Sequence, residues 1–244
     1  MNELALNAAS LRYDNGFTAL NNVTAQFDSG SFTALVGPSG CGKSSLLRLL
    51  AGLEQPFIGS VTGLAQRHIG FVFQEPTLLA WRSVADNITL PLQIEGHSPN
   101  EIATRLDEAL ALVGLADFAD ALPRQLSGGM KMRVSLARAL AKRPPVLLMD
   151  EPFAALDELT RFRLDDDLRA IWQQQKCTII FVTHSVTEAA YLAERALIMQ
   201  SGEIRQEITI DQSGRDGGFR SAPAFTAACA ALSAALGHDI GGEI

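Results

Sequence analysis

The sequence predicts an α/β fold, a parallel sheet flanked by helices, with a separate all-helical lobe inserted into it. Three observations carry this. Short apolar or alternating strands recur between helical stretches, a glycine-rich loop joins one strand to a helix, and from Glu75 to about Leu140 only the helical period is present. Across 244 residues, 47% hydrophobic and 7% aromatic content supplies the core of one to two domains and excludes disordered, collagen-like and disulfide-scaffold classes.

The elements follow in order. Leu4-Ala5-Leu6 and Val23 to Phe27 alternate as half-buried strands, with Asp28-Ser29-Gly30 as a turn. Phe32 to Val36 reads as a buried strand that runs into the glycine-rich loop, and Lys43 to Ala51 reads as a helix stopped by Gly52. His68 to Phe73 is a further strand. Ser98-Pro99-Asn100-Glu101 predicts a capping box with proline at the first helical position. The helix it opens carries Ile102, Leu106, Leu110 and Val113 on one face and ends at Gly114. A second lobe helix follows Ser127-Gly128-Gly129 with Met130, Val134, Ala137 and Leu140 inward. Strand signals return at Val146 to Met149 and Cys177 to Thr183, separated by a long helix from Glu158 to Gln175. Ser185-Val186-Thr187-Glu188 is a second capping box. The last thirty or so residues, rich in glycine and alanine, read as a weakly ordered tail.

Charge and cysteines narrow the class. Twenty basic against 27 acidic residues give a net charge of −7, which argues against a general nucleic-acid binder. Cys41, Cys177 and Cys229 form no CxxC pair, so neither a zinc site nor a disulfide framework is expected and a reducing compartment is the simple reading. The start Met1-Asn2-Glu3-Leu4 shows no signal peptide, and Ala222 to Gly237 is too short and too interrupted to span a bilayer.

Gly37-Pro38-Ser39-Gly40-Cys41-Gly42-Lys43-Ser44 fits the phosphate-loop pattern, two glycines with four residues between them followed by Lys and Ser, between a strand and a helix. Glycines let successive N–H groups curl around phosphate oxygens. The helix start adds partial positive charge, Lys43 neutralises the β/γ oxygens, and the Ser44 hydroxyl suits Mg²⁺. Such a loop needs a carboxylate from a neighbouring strand. Val146 to Met149 followed by Asp150-Glu151 offers Asp150 for the metal and Glu151 as base for the attacking water. Leu126-Ser127-Gly128-Gly129-Met130 opens a helix whose bare start is a second anion site.

The order of these features, together with Gln74 after a strand, Ala155-Leu156-Asp157, and His184 after a strand, resembles the ATP-binding-cassette (ABC) ATPases from about Leu4 to Gly202. The resemblance implies a P-loop NTPase with a RecA-like parallel sheet core, an N-terminal antiparallel β subdomain and an inserted α-helical signature subdomain. It implies an ATPase domain over residues 1–205, with the helical subdomain at about 75–140, and a short tail over 206–244. It implies ATP and Mg²⁺ as cofactors, and a head-to-tail homodimer in which Ser127, Gly128 and Gly129 of one copy cap the γ-phosphate held by Gly37 to Ser45 of the other. Gln74 resembles the residue that touches Mg²⁺ and water, Glu151 the catalytic carboxylate, His184 the γ-phosphate holder and Asp157 the residue that crosses to the partner cassette. Tyr13 matches the aromatic that stacks on adenine, although by itself it reads equally as packing. Met130 departs from the usual Gln of the signature; the phosphate contacts come from Ser127 and the glycine N–H groups, so activity is expected to survive. Cys41 reads as a small filler.

Two longer runs, Gln74 to Val84 and Met149 to Arg161, with Val182 to Ala189, resemble the nitrate/sulfonate/taurine importer subgroup; Ala80 stands where Pro is usual before Trp81. This implies an ATPase coupled to transmembrane transport of a small organic or inorganic anion. It would sit peripherally on the cytoplasmic face of the inner membrane, with a permease dimer and a periplasmic or lipid-anchored solute-binding protein as partners and no nucleic acid. Glu75 to Val84 is the candidate permease contact. The alternative is a soluble ABC ATPase of the iron–sulfur assembly or cell-division type.

Overall fold

The computed structural model describes residues 4–63, 69–154, 156–211 and 218–237. Its elements begin with strands β1 (Leu4–Arg12), β2 (Thr18–Phe27) and β3 (Phe32–Val36), helix α1 (Lys43–Leu50), and strands β4 (Ile58–Thr62) and β5 (Ile69–Val72). Helices α2 (Val84–Ile94), α3 (Pro99–Leu112) and α4 (Gly128–Leu140) follow, then β6 (Val146–Asp150) and α5 (Glu158–Gln175). The chain continues through β7 (Thr178–Thr183), α6 (Val186–Leu192), β8 (Arg195–Gln200), β9 (Glu203–Thr209) and α7 (Pro223–Ala235). Contacts divide it into two units, Met1–Arg67 with Thr178–Ile244, and His68–Cys177.

In the first unit β1 pairs antiparallel with both β2 and β4. The expected turn at Asp28 forms, with the Ser31 N–H donating to Asp28 O at 3.1 Å and Gly30 at φ 77°. β3, buried along its whole length, lies parallel between β7 and β8, and β9 closes the edge antiparallel to β8. β7 is also buried throughout, as a strand covered on both faces must be.

The C-terminal segment departs from the weakly ordered tail expected of it. Alanine is the best helix former, and Pro223 occupies the first turn of α7, where its missing N–H costs nothing. Phe219 is buried and stands 6.2 Å from the Tyr191 ring of α6 and 5.7 Å, edge-on, from Phe225, while Leu232 is fully buried. Tertiary burial of two side chains therefore fixes a helix whose own pattern is weak. Leu232→Ala is expected to cost roughly 2–5 kcal/mol of stability, measured by urea unfolding.

In the second unit β5 and β6 pair in parallel. The lobe core joins Val84, Ile88 and Leu92 of α2, Leu110 of α3 and Val134 and Ala137 of α4, with Val113 alongside. Ile102, Leu106 and Met130 pack against it half-buried; the face read from α3 is the one found, and that of α4 is found through Met130, Val134 and Ala137, with Leu140 buried outside this cluster. Both capping boxes form on one side only. Ser98 accepts from the Glu101 N–H at 3.4 Å and Ser185 from the Glu188 N–H at 3.2 Å. The Glu101 carboxylate engages His97 and Arg105, and the Glu188 carboxylate takes the Thr183 hydroxyl. His68, included in the expected strand, and Ala155 lie outside the described residues.

Candidate functional site

The first unit carries the phosphate loop. β3 delivers the chain to Gly37, where an added Cβ would fall 2.2 Å from Met199 O, so no side chain fits. Gly42, at φ 106°, is pressed against Ala19 O, which an added Cβ would meet at 2.6 Å. The Gly202 N–H, from the turn between β8 and β9, donates to Cys41 O at 3.0 Å and braces the loop from below. Cys41 itself is buried, as a filler would be. Pro38, Ser39 and Gly40 are exposed, and α1 starts at Lys43 with no side-chain cap on its first N–H groups. A helix start of this kind is an anion site.

Lys43 is 5% exposed. Its Nζ donates to Gly37 O at 2.8 Å and Pro38 O at 2.9 Å, inside the ring of the loop, with Cys41 Sγ 3.9 Å away. The ammonium is thus fixed beneath the backbone of the loop. Tyr13, half-buried after β1, shares a 3.0 Å hydrogen bond between its hydroxyl and Ser45 Oγ, which anchors the ring beside α1.

His184 emerges at the same sheet edge as the loop. Val36 is aligned with Thr183 across the parallel β3–β7 pair, so Gly37 and His184 each follow directly on paired residues. Adjacent strands are about 4.8 Å apart. Thr183 Oγ1 accepts from the Ser185 N–H at 2.9 Å and donates to the buried Glu188 at 2.5 Å. His184 is therefore an exposed side chain on a turn clamped on both sides.

The second unit repeats this alignment. Val72 pairs with Met149, so Gln74 and Glu151 each lie two residues beyond a paired position at the end of β5 and β6. Gln74 is exposed; Asp150 and Glu151 are half-buried. Glu151 holds φ 45°, a left-handed conformation uncommon outside glycine that costs about 1–2 kcal/mol. Asp157 caps α5, its Oδ1 accepting from the Thr160 N–H at 3.0 Å. Those hydrogen bonds from Thr160 hold the carboxyl below its ordinary value.

Ser127 caps α4, accepting from the Met130 N–H at 3.2 Å, with Ser127 and Gly128 exposed. Gly129 is pressed against the start of α5, where an added Cβ would lie 2.6 Å from Thr160 Cγ2. The Ser-Gly-Gly turn and the Asp157 cap are thus in contact. Gly129→Val is expected to force them apart at a cost of about 1–3 kcal/mol, read by urea unfolding. Met130 packs on the lobe core, which gives the departure from Gln an apolar place.

Sequence reading missed Asn87 and Arg138, and read Glu188 only as half of a capping box, not as the partner of Thr183. Asn87 is fully buried with its amide bonded to the chain from Leu79 to Ser83, and Arg138 donates to Pro76 and Thr77. The available signal was a polar residue on an apolar helical face, such as Asn87 between Val84 and Ile88.

Residues 20–154 match the family model described as ABC transporter. The chain belongs to the ABC transporter family. Among its relatives, the nitrate import ATP-binding protein of Synechocystis is 44% identical over 80% of this chain and 77% of its own. The aliphatic sulfonates import ATP-binding protein of Pseudomonas syringae pv. syringae is 46% identical over 82% and 84% respectively. A dimeric ABC cassette in a post-hydrolysis state with ADP and phosphate superposes with a TM-score of 0.76 at 33% identity, covering 85% of this chain and 99% of that one. Gly37 to Ser45, Tyr13 and His184 fall in the first unit of this ABC chain, and Gln74, Ser127 to Gly129, Asp150, Glu151 and Asp157 in the second.

Proposed function

We propose that the chain is the ATP-hydrolysing motor subunit of an ABC importer for a small organic or inorganic anion of the nitrate, sulfonate or taurine kind. The observation that carries the solute class and the direction of transport is the similarity, at 44–46% identity, to nitrate and aliphatic sulfonate import ATP-binding proteins. Those names favour import over a soluble ABC ATPase.

In this reading the N–H groups of Gly37 to Ser45 and the Lys43 ammonium bind the β- and γ-phosphates, and Tyr13 stacks on adenine. Ser44, Gln74 and Asp150 supply a small set of hard oxygen donors, the kind Mg²⁺ accepts when phosphates fill the rest of its shell. When bound, Mg²⁺ neutralises charge on the β- and γ-oxygens. Glu151 accepts a proton from the attacking water, and His184 steadies the γ-phosphate. The exposed Ser127 and Gly128 of a second copy close over that phosphate, with Asp157 crossing the same interface.

The dimeric state of the similar cassettes supports this pairing. Residues 1–205 form the ATPase domain, with the helical subdomain at about 75–140. Among the described residues no helix is long and apolar enough to cross a membrane. We place the subunit peripherally on the cytoplasmic face, against a permease dimer that works with a solute-binding protein. The exposure of Trp81, 75%, beside half-buried Leu79 supports Glu75 to Val84 as the permease contact.

Capture of the tagged chain from membranes in mild detergent, with mass spectrometry of what comes along, tests the reading. A multi-span permease with a solute-binding protein is expected, and thermal shifts of that binding protein against sulfonates and nitrate then identify the solute. A soluble partner alone would overturn the transport assignment.

A further inference from the structure

One guanidinium gathers the acceptors of the segment that follows Gln74. Arg138, near the end of α4, donates from Nη1 to Thr77 O at 2.9 Å. Its Nη2 serves Pro76 O at 3.0 Å, Thr77 Oγ1 at 3.0 Å and Ser135 Oγ at 3.4 Å. Thr77 needs such holding, because it is β-branched and sits at φ 45°.

A second side chain pins the far end of the same segment. Asn87 of α2 accepts from the Leu79 N–H at 2.8 Å and donates to Leu79 O at 3.2 Å, Arg82 O at 3.1 Å and Ser83 O at 2.9 Å. Residues 76–83 are therefore fastened at both ends, to α4 and to α2. Trp81 stands exposed between the pins and Gln74 lies just before the first.

Helix α4 begins at Gly128, next to the Ser127 cap, and Arg138 lies about 15 Å along it at 1.5 Å per residue. A helix of this length moves as a rod. We propose that Arg138 is a positioning residue that makes the signature helix and the Gln74 segment one mechanical part. A tilt imposed on α4 at Ser127–Gly129 then carries Thr77, Trp81 and Gln74 with it. The inference deepens the ATPase reading above and rests on it. A planar fork is required, since one guanidinium plane meets Pro76 O and both oxygens of Thr77; a lysine ammonium on a flexible stem is a point charge and cannot fix all three.

The test uses the full-length chain with Trp172→Phe, which leaves Trp81 as the sole tryptophan of the two in the sequence. Calorimetry reads ATP affinity, and Trp81 emission with iodide quenching reads the segment before and after MgATP. In the reference protein MgATP is expected to bind and to change Trp81 quenching. Arg138→Lys is expected to bind ATP with unchanged affinity, keep its circular dichroism spectrum and lose the Trp81 response. Arg138→Met is expected to behave the same way, showing that charge alone is not the link.

A Trp81 response retained in Arg138→Lys would overturn the proposal. So would an unfolded Arg138→Lys, which would make Arg138 a brace for the fold, or a reference protein that binds ATP with no response at Trp81. Failure of the reference protein to bind ATP would instead sink the ATPase reading, and the two failures are distinct in the calorimetry.

Discussion

Glu151→Gln is expected to bind MgATP as the parent does and to lose turnover by about 10²–10⁴-fold, the range a positioned general base contributes. Glu151 sits two residues past the pairing of Val72 with Met149, on a backbone held at φ 45° and separated by Asp150 from the fully buried run Val146 to Met149. The substitution keeps shape and hydrogen-bonding reach but replaces a proton acceptor by an amide. Binding groups in the phosphate loop are untouched. Because ATP joins two copies in this reading, blocking hydrolysis is also expected to trap them together. Anything that binds only the paired state stabilises it by mass action. Steady-state phosphate release and size-exclusion chromatography with MgATP check both halves. Undiminished phosphate release would move the base to another residue.

What the sequence displays and what it conceals divide along local and long-range physics. The phosphate loop, the edges of β3 and α5, and the stops at Gly52 and Gly114 follow from local rules of burial, capping and left-handed glycine, and all appear where those rules place them. α2 was legible only as part of a helical stretch, because Pro91 interrupts its pattern; it persists because Val84, Ile88 and Leu92 bury themselves in the lobe. Half of each capping box is lost to competing local partners. Glu101 and Glu188 turn instead to His97, Arg105 and Thr183, four or five residues away. α7 was hidden because its helix depends on Phe219 and Tyr191 meeting across distant sequence. The candidate site residues are legible by type and order, whereas the bracing roles of Arg138 and Asn87, and that of Glu188 beyond its place in the cap, are not. Arg138 and Asn87 bond mainly to backbone atoms, which carry no residue-type signal.

Lys43→Met is the second large expected effect, and it separates two roles of one side chain. The Lys43 Nζ is held by Gly37 O and Pro38 O within a loop where Gly37 and Gly42 admit no Cβ, so the neighbouring backbone has no room to rearrange around a replacement. Removing the ammonium leaves those carbonyls without their donor, at roughly 1–3 kcal/mol of stability, while methionine retains most of the packed stem. In the proposed reading it also removes a charge-assisted contact to the phosphates, so ATP affinity is expected to fall by one to two orders of magnitude, about 1.5–3 kcal/mol. Urea unfolding with and without ATP reads both effects at once. At ~100 times its Kd a ligand adds about 2.7 kcal/mol to the folded state. The parent is expected to show that increment, whereas Lys43→Met is expected to start lower and gain little from the same ATP. An equal gain in both proteins would mean that the buried ammonium braces the loop without meeting the phosphates, leaving the N–H groups of Gly37 to Ser45 to hold the anion by themselves.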